Sequence, residues 1–185
     1  MASGLAPVWP ARWPGPVATL YTCMAMPPAQ LGRDEVVLLM GAVPERLSDL
    51  VSGLDEPRLT HRHAPAFPTL GEVIGHLCEA GTAVDGLLRR ACLDGLRELP
   101  VRATIDPPHD PGLSSPVPEL LQKFARIRRR TLDLLRGLPP EAWQRGVVDP
   151  LQGELTLLEI CQLVAEHELA HLSQLRSLIA LLPDA

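Results

Sequence analysis

The residues best suited to chemistry stand near the end of the chain, in the run His167-Glu168-Leu169-Ala170-His171. A spacing of four stacks two side chains on one face of a helix. Following that face in both directions gives Ile160, Leu163, Val164, Leu175 and Leu178, so the two imidazoles lie in the stripe that must pack inward. A buried imidazole needs a partner for each ring nitrogen. A divalent ion meets that need by taking one nitrogen from each ring. An ordinary polar pair of core histidines has the same spacing, and at this level both readings stand.

The same five residues spell H-E-x-x-H, in which a glutamate beside two zinc-binding histidines activates a water for peptide hydrolysis. On that reading Glu168 is the general base. It lies about 100° round the helix from His167, which also suits an outer carboxylate. A protease of this kind needs a third ligand downstream, and the one candidate is Asp184, beyond Pro183. The extended form of the motif fails, because Gln174 and Ser177 stand where glycine and histidine belong. The third ligand then has to come from upstream. His61, His63 and His109 fall in proline-rich loops and read as solvated, which leaves His76 as the other helical histidine.

Four amphipathic stretches position these residues, and none of the sequence alternates as a strand does. The first helix spans about 34–54, with Pro44 kinking or dividing it. Thr69-Leu70-Gly71-Glu72 is a capping box, in which the threonine hydroxyl and the glutamate each accept from the other's backbone amide, and it opens a second helix running to about Leu99. Residues 101–118 hold Pro107, Pro108, Pro111 and Pro116 and read as a loop long enough to cross from one end of a bundle to the other. The third helix covers about 118–135, with Arg126, Arg129 and Arg130 on its solvated side. A second capping box, Thr156-Leu157-Leu158-Glu159, opens the fourth helix, which runs to about Leu182. Counted from its cap, His76 lies roughly 10 Å along its helix, and His171 roughly 15 Å from the end of its own. With a crossover at 101–118 the second and fourth helices are antiparallel and these depths nearly coincide. The fold class is all-α, a four-helix bundle with a long crossover between helices 2 and 3.

The chain has 185 residues, the length of one domain, here residues 31–185, preceded by an irregular proline-rich extension over 1–30. Apolar residues make up 46% and charged residues 21%, enough for a sizeable core. A net charge of −5 argues against a nucleic-acid or anionic-membrane binder, and aromatics at 3% leave no platform for stacking bases. No apolar run approaches the ~18 residues a membrane span needs. Cys23, Cys78, Cys92 and Cys161 are scattered without metal-ligand spacing and read as small buried hydrophobes of a cytoplasmic protein.

Taken together, Glu72-Val73-Ile74-Gly75-His76-Leu77, Phe124 with 128–132, Gly153-Glu154-Leu155-Thr156-Leu157 and His167-Glu168-Leu169-Ala170-His171-Leu172-Ser173-Gln174 resemble the DinB/YfiT-like superfamily of metal-binding four-helix bundles. The resemblance covers about 34–182. It implies an up-down-down-up bundle with a divalent metal, zinc or nickel, on His76, His167 and His171, and Gln174 as a support of a metal ligand or a substrate contact. It also implies a homodimer and a small-molecule substrate. Members with known activity transfer low-molecular-weight thiols such as bacillithiol or mycothiol, and others are described as metal-dependent hydrolases. The expected function is therefore activation of a small thiol for transfer to an electrophile. The alternatives are hydrolysis of a substrate by water and a bundle that binds a metal or small ligand without turnover. The chain departs from the family at Pro68, where tryptophan is common, and at Gly81, where an acid is frequent.

Overall fold

The computed structural model describes residues 31–107 and 115–183. The expectations for the extension over 1–30, for His109 and for Asp184 lie outside these residues. Six helices follow in order: α1 (Arg33–Val51), the short α2 (Glu56–Leu59), α3 (Leu70–Cys92), the short α4 (Val101–Ile105), α5 (Val117–Arg136) and α6 (Leu157–Ala180). Between α5 and α6 come a single turn of tighter helix (Pro140–Gln144) and two strands, β1 (Gly146–Asp149) and β2 (Gly153–Thr156).

Local chemistry sets the helix starts. Thr69 Oγ1 accepts from the Glu72 amide at 3.1 Å while Glu72 Oε2 accepts from the Thr69 amide at 2.8 Å. Thr156 and Glu159 repeat the exchange at 3.2 and 2.7 Å. Each box satisfies two of the amides that a helix start leaves without an intrahelical acceptor. At α1 half of the device is present, with Glu35 Oε2 accepting from the Gly32 amide at 2.7 Å.

Two apolar clusters fill the bundle, and their membership gives the direction of every long helix. One joins Val36 and Met40 from the start of α1 to Leu87 and Leu88 from the end of α3. To these it adds Leu132 and Leu135 from the end of α5 and Leu157 and Ile160 from the start of α6. The other joins Leu47 and Val51 at the end of α1, Leu70 and Ile74 at the start of α3, Leu120 and Phe124 early in α5, and Leu172 and Leu175 late in α6. Hence α1 and α6 run one way and α3 and α5 the other. The topology is up-down-down-up, and the chain between α3 and α5 must return the length of the bundle.

Three features differ from the sequence expectations. First, α1 is continuous through Pro44 and ends at Val51. Second, α3 stops at Cys92 rather than near Leu99, and the crossover is not an unstructured loop. Its residues 97–99 run beside β1, with the Val148 amide donating to the Arg97 carbonyl at 2.6 Å and the Leu99 amide to the Val148 carbonyl at 3.0 Å. It then forms α4, whose Val101 and Ile105 are buried in the first cluster.

Third, strands exist where none was expected. β1 and β2 pair antiparallel, Gly146 opposite Thr156 through Asp149 opposite Gly153. At φ +82° Gly153 supplies the left-handed residue that closes so short a hairpin. Four-residue strands are too short for a period of two to emerge from the sequence. No helix among the described residues is long and apolar enough to cross a membrane.

Candidate metal centre

In α6 the first apolar cluster ends at Ala165 and the second begins at Leu172. The interval holds His167, Glu168 and His171, all buried. In α5 the matching interval, between Phe124 and Leu132, holds the buried Arg128. A polar layer thus divides the apolar core, and His76 of α3 reaches it from the opposite helix.

The three histidines converge. His167 Nε2 lies 3.2 Å from His76 Nε2 and 3.1 Å from His171 Nε2, with ring centroids 4.5 to 5.3 Å apart. Each offers a nitrogen within 4.8 Å of the others. His76, His167 and His171 are therefore brought together as their spacing and the crossover predicted.

The protonation states decide what such a cluster can hold. Gln174, one turn beyond His171, accepts from His171 Nδ1–H through Oε1 at 2.8 Å. That bond leaves His171 Nε2 as a lone pair facing His167. His167 Nε2 can offer either one proton or one lone pair. A proton directed at His171 leaves nothing to accept from His76, and a lone pair that accepts from His76 opposes the lone pair of His171. With His171 Nε2 unprotonated, at most one of the two short contacts is a full hydrogen bond, or both share the single His167 proton in a weaker three-centre bond.

Protonation of His167 or His171 does not supply the missing proton near pH 7. Burial pushes His171 down to about 4, against the opposing pull of the Gln174 bond. Burial also holds His167 well below the ordinary histidine value, helped by His171, His76 and the Arg102 guanidinium. A cation placed among the three nitrogens removes the conflict by using every lone pair. The donor set, three imidazoles with two of their nitrogen pairs at 3.1 and 3.2 Å and all three within 4.8 Å, fits a zinc-class divalent ion. Such an ion binds nitrogen at about 2.0–2.1 Å, and tetrahedral donors at that range stand about 3.4 Å apart.

The other sequence candidates take different places. Glu168 lies on α6 between the two histidines but pairs with Arg128 of α5, both side chains almost fully buried. It is not among the converging donors. Burial lowers Arg128 to about 10, and its guanidinium stacks 5.2 Å from the Phe124 ring centroid. At that value it stays charged at neutral pH, so the pair is a buried ion pair facing α5. Gln174 touches His171, the position from which a metal ligand's outer partner would orient its ring. Its Nε2 is buried and without a hydrogen-bond partner among the described residues. His61 and His63 stand outside the helices, and neither belongs to the cluster.

Two residues that carry no motif flank the cluster. Asp106, which follows α4, places Oδ1 3.6 Å from His76 Nε2 and 4.0 Å from His167 Nε2. Arg102 of α4 acts electrostatically on His167 and on Glu166. The sequence gives no signal for either, because both lie in the proline-rich crossover and reach the site through its path in three dimensions. Gly81 packs against Phe124, whose ring an added Cβ would meet at 3.2 Å, so a side chain there requires the ring to shift by a few tenths of an ångström. Cys161 is fully buried and its thiol is pushed up to about 12, which leaves it inert.

The class of protein is an up-down-down-up helical bundle with three histidines converging between antiparallel helices, in an arrangement that could hold a metal ion. The sequence pattern of the DinB superfamily matches residues 40–175, and the chain belongs to that superfamily. Among solved structures it is similar to YfiT from Bacillus subtilis, described as a probable metal-dependent hydrolase with an unusual four-helix bundle topology. The identity is 18% and the TM-score 0.67, over 79% of this chain and 85% of that one. At that identity the likeness concerns the fold. No curated protein matches the sequence.

Proposed function

We propose that this protein is a metal-dependent enzyme that activates a low-molecular-weight thiol for transfer to an electrophilic small molecule. The observation that carries the proposal is the convergence of three buried imidazole nitrogens that have at most one full hydrogen bond between them. His76, His167 and His171 would hold a divalent ion. When bound, the ion supplies Lewis acidity, lowering the pKa of a thiol or water at a remaining coordination position toward neutrality. Imidazole donors add no charge of their own, so the ion keeps the Lewis acidity that a thiol or a water at an open position would meet.

The chain's own groups have definable tasks. Gln174 fixes the tautomer and orientation of His171. The Arg128–Glu168 pair ties α5 to α6 beside the site and holds the intervening turn of α6 in register. Arg102 puts positive charge at the crossover side, where an anionic cosubstrate gains from it.

Hydrolysis, with water in place of the thiol, is the second reading, favoured by the description of YfiT as a probable metal-dependent hydrolase. A peptidase reading has less support, since Glu168 is committed to Arg128 and is not among the converging donors.

One assay separates the readings. Zinc- or nickel-loaded protein is incubated with monochlorobimane and a panel of small thiols, and separately with ester and amide substrates without thiol. The proposal expects metal-dependent, thiol-dependent conjugation that His167→Ala abolishes. Metal-dependent cleavage of esters or amides without thiol moves the assignment to hydrolase. Inactivity of fully loaded protein in both arms removes the enzyme reading in favour of a binding bundle.

A further inference from the structure

We infer that Asp106 is a fourth donor to the metal centre, carried into the site by the crossover. This inference rests on the three-histidine reading and adds to it a carboxylate from a segment outside the four long helices.

Geometry is the first argument. Asp106 Oδ1 is 3.6 Å from one histidine Nε2 and 4.0 Å from another, beyond hydrogen-bond range for either. The histidine nitrogens stand 3.1 and 3.2 Å apart. Donors around one tetrahedral zinc-class ion are spaced about 3.4 Å, between these two sets of values. The carboxylate thus stands beside two of the three nitrogens, outside the tight group the histidines form by themselves, and an inward movement of Asp106 brings it to an ion held there.

Anchorage is the second. A donor on a free loop would be a poor ligand, but Asp106 is held from three directions. Its amide donates to the Arg102 carbonyl at 3.2 Å. One turn earlier the Arg102 amide donates to Asp149 Oδ2 at 3.0 Å. The buried carboxylate of Asp149 also accepts from the amides of Leu151 and Gln152, each at 2.8 Å, so the hairpin and α4 share one fixed point. Val101 and Ile105 complete the anchorage in the apolar core.

Charge is the third. Three neutral imidazoles leave a divalent ion with both its charges, inside a layer that already contains Arg128 paired to Glu168 and lies near Arg102. A carboxylate completes a mixed nitrogen and oxygen set of the kind zinc-class ions take. Asp106 keeps 27% of its side chain exposed, so it stands at the mouth of the site. An ion that expands to five-coordinate keeps a position for a substrate beside it.

The test uses the full chain loaded with Co(II), whose visible absorption reports coordination number, and a chelator competition that gives affinity. Wild type, Asp106→Asn and Asp106→Ala are compared after helical content is checked by circular dichroism. The Asn variant keeps the volume and decides the question should the Ala variant fail to fold. The expected result is a loss of at least about tenfold in Co(II) affinity, with a changed d–d spectrum, in Asp106→Asn. A spectrum and affinity equal to wild type in that variant overturn the role of Asp106 and leave the three-histidine site standing. Failure of wild type itself to take up Co(II) overturns both.

Discussion

His171 illustrates how one side chain is prepared for its task. Its Nδ1–H is spent on Gln174 and its Nε2 faces two other imidazoles, in a layer where burial disfavours the charged ring. The consequence reaches beyond the site. A histidine in the unfolded chain titrates near 6.5, whereas His171 in the folded state titrates at about 4. Between those values the unfolded state binds more protons, so acidification favours unfolding. Above about pH 7 neither state is protonated here and the effect is flat. The shift of roughly 2.5 units corresponds to about 3 kcal/mol for this ring, and His167, also held low by burial first, acts in the same direction. Metal-free protein should therefore lose stability steadily from pH 6.5 toward pH 4.5, measured as the urea midpoint at a series of pH values. A midpoint that stays level from pH 7.5 to 5 contradicts neutral buried histidines. These residues were legible from spacing alone, since two imidazoles four apart in an apolar stripe require an explanation. Asp106 was not, because no local pattern marks a loop carboxylate that the fold carries to a site.

At the scale of elements, the long helices could be read from the sequence because their signals are local. The capping boxes at Thr69 and Thr156 start α3 and α6 where the sequence places them. The structure within the crossover and the hairpin escaped because their order is not local. Residues 97–99 gain their extended form by running beside β1, and α4 is a single turn stabilised by burial of Val101 and Ile105 and by Asp149. Asp149 is the joint of this unit, accepting three backbone amides while 2% exposed. Replacing it by alanine leaves those amides without their acceptor and should cost about 2–3 kcal/mol. Chemical denaturation of Asp149→Ala checks the figure, and a change below about 0.5 kcal/mol would show that the hairpin and α4 are held by packing alone. The same prediction could not come from the sequence, where Asp149-Pro150 reads as an ordinary turn start.

Across the whole molecule, the two parallel central helices make the long return obligatory, and the return makes the site possible. Because α3 and α6 are antiparallel, a histidine two turns into one helix meets a pair astride the middle of the other. Because the chain must come back between α3 and α5, a structured segment is available to cover that meeting point. The bundle was legible as a count of amphipathic helices and a crossover. The packing that divides its core into two apolar clusters with a polar layer between them required the structure, since it depends on which residues of different helices share a level. The central claim is that this layer holds a divalent metal on His76, His167 and His171. The most direct test is the metal content of untagged protein, purified in parallel with His76→Ala and His171→Ala and measured by elemental analysis. One zinc-class ion per wild-type chain, lost from both variants while their helical content is kept, is the predicted result. Retention of the metal by His76→Ala would place the ion elsewhere, and wild-type protein that neither carries nor takes up a divalent metal would contradict the account.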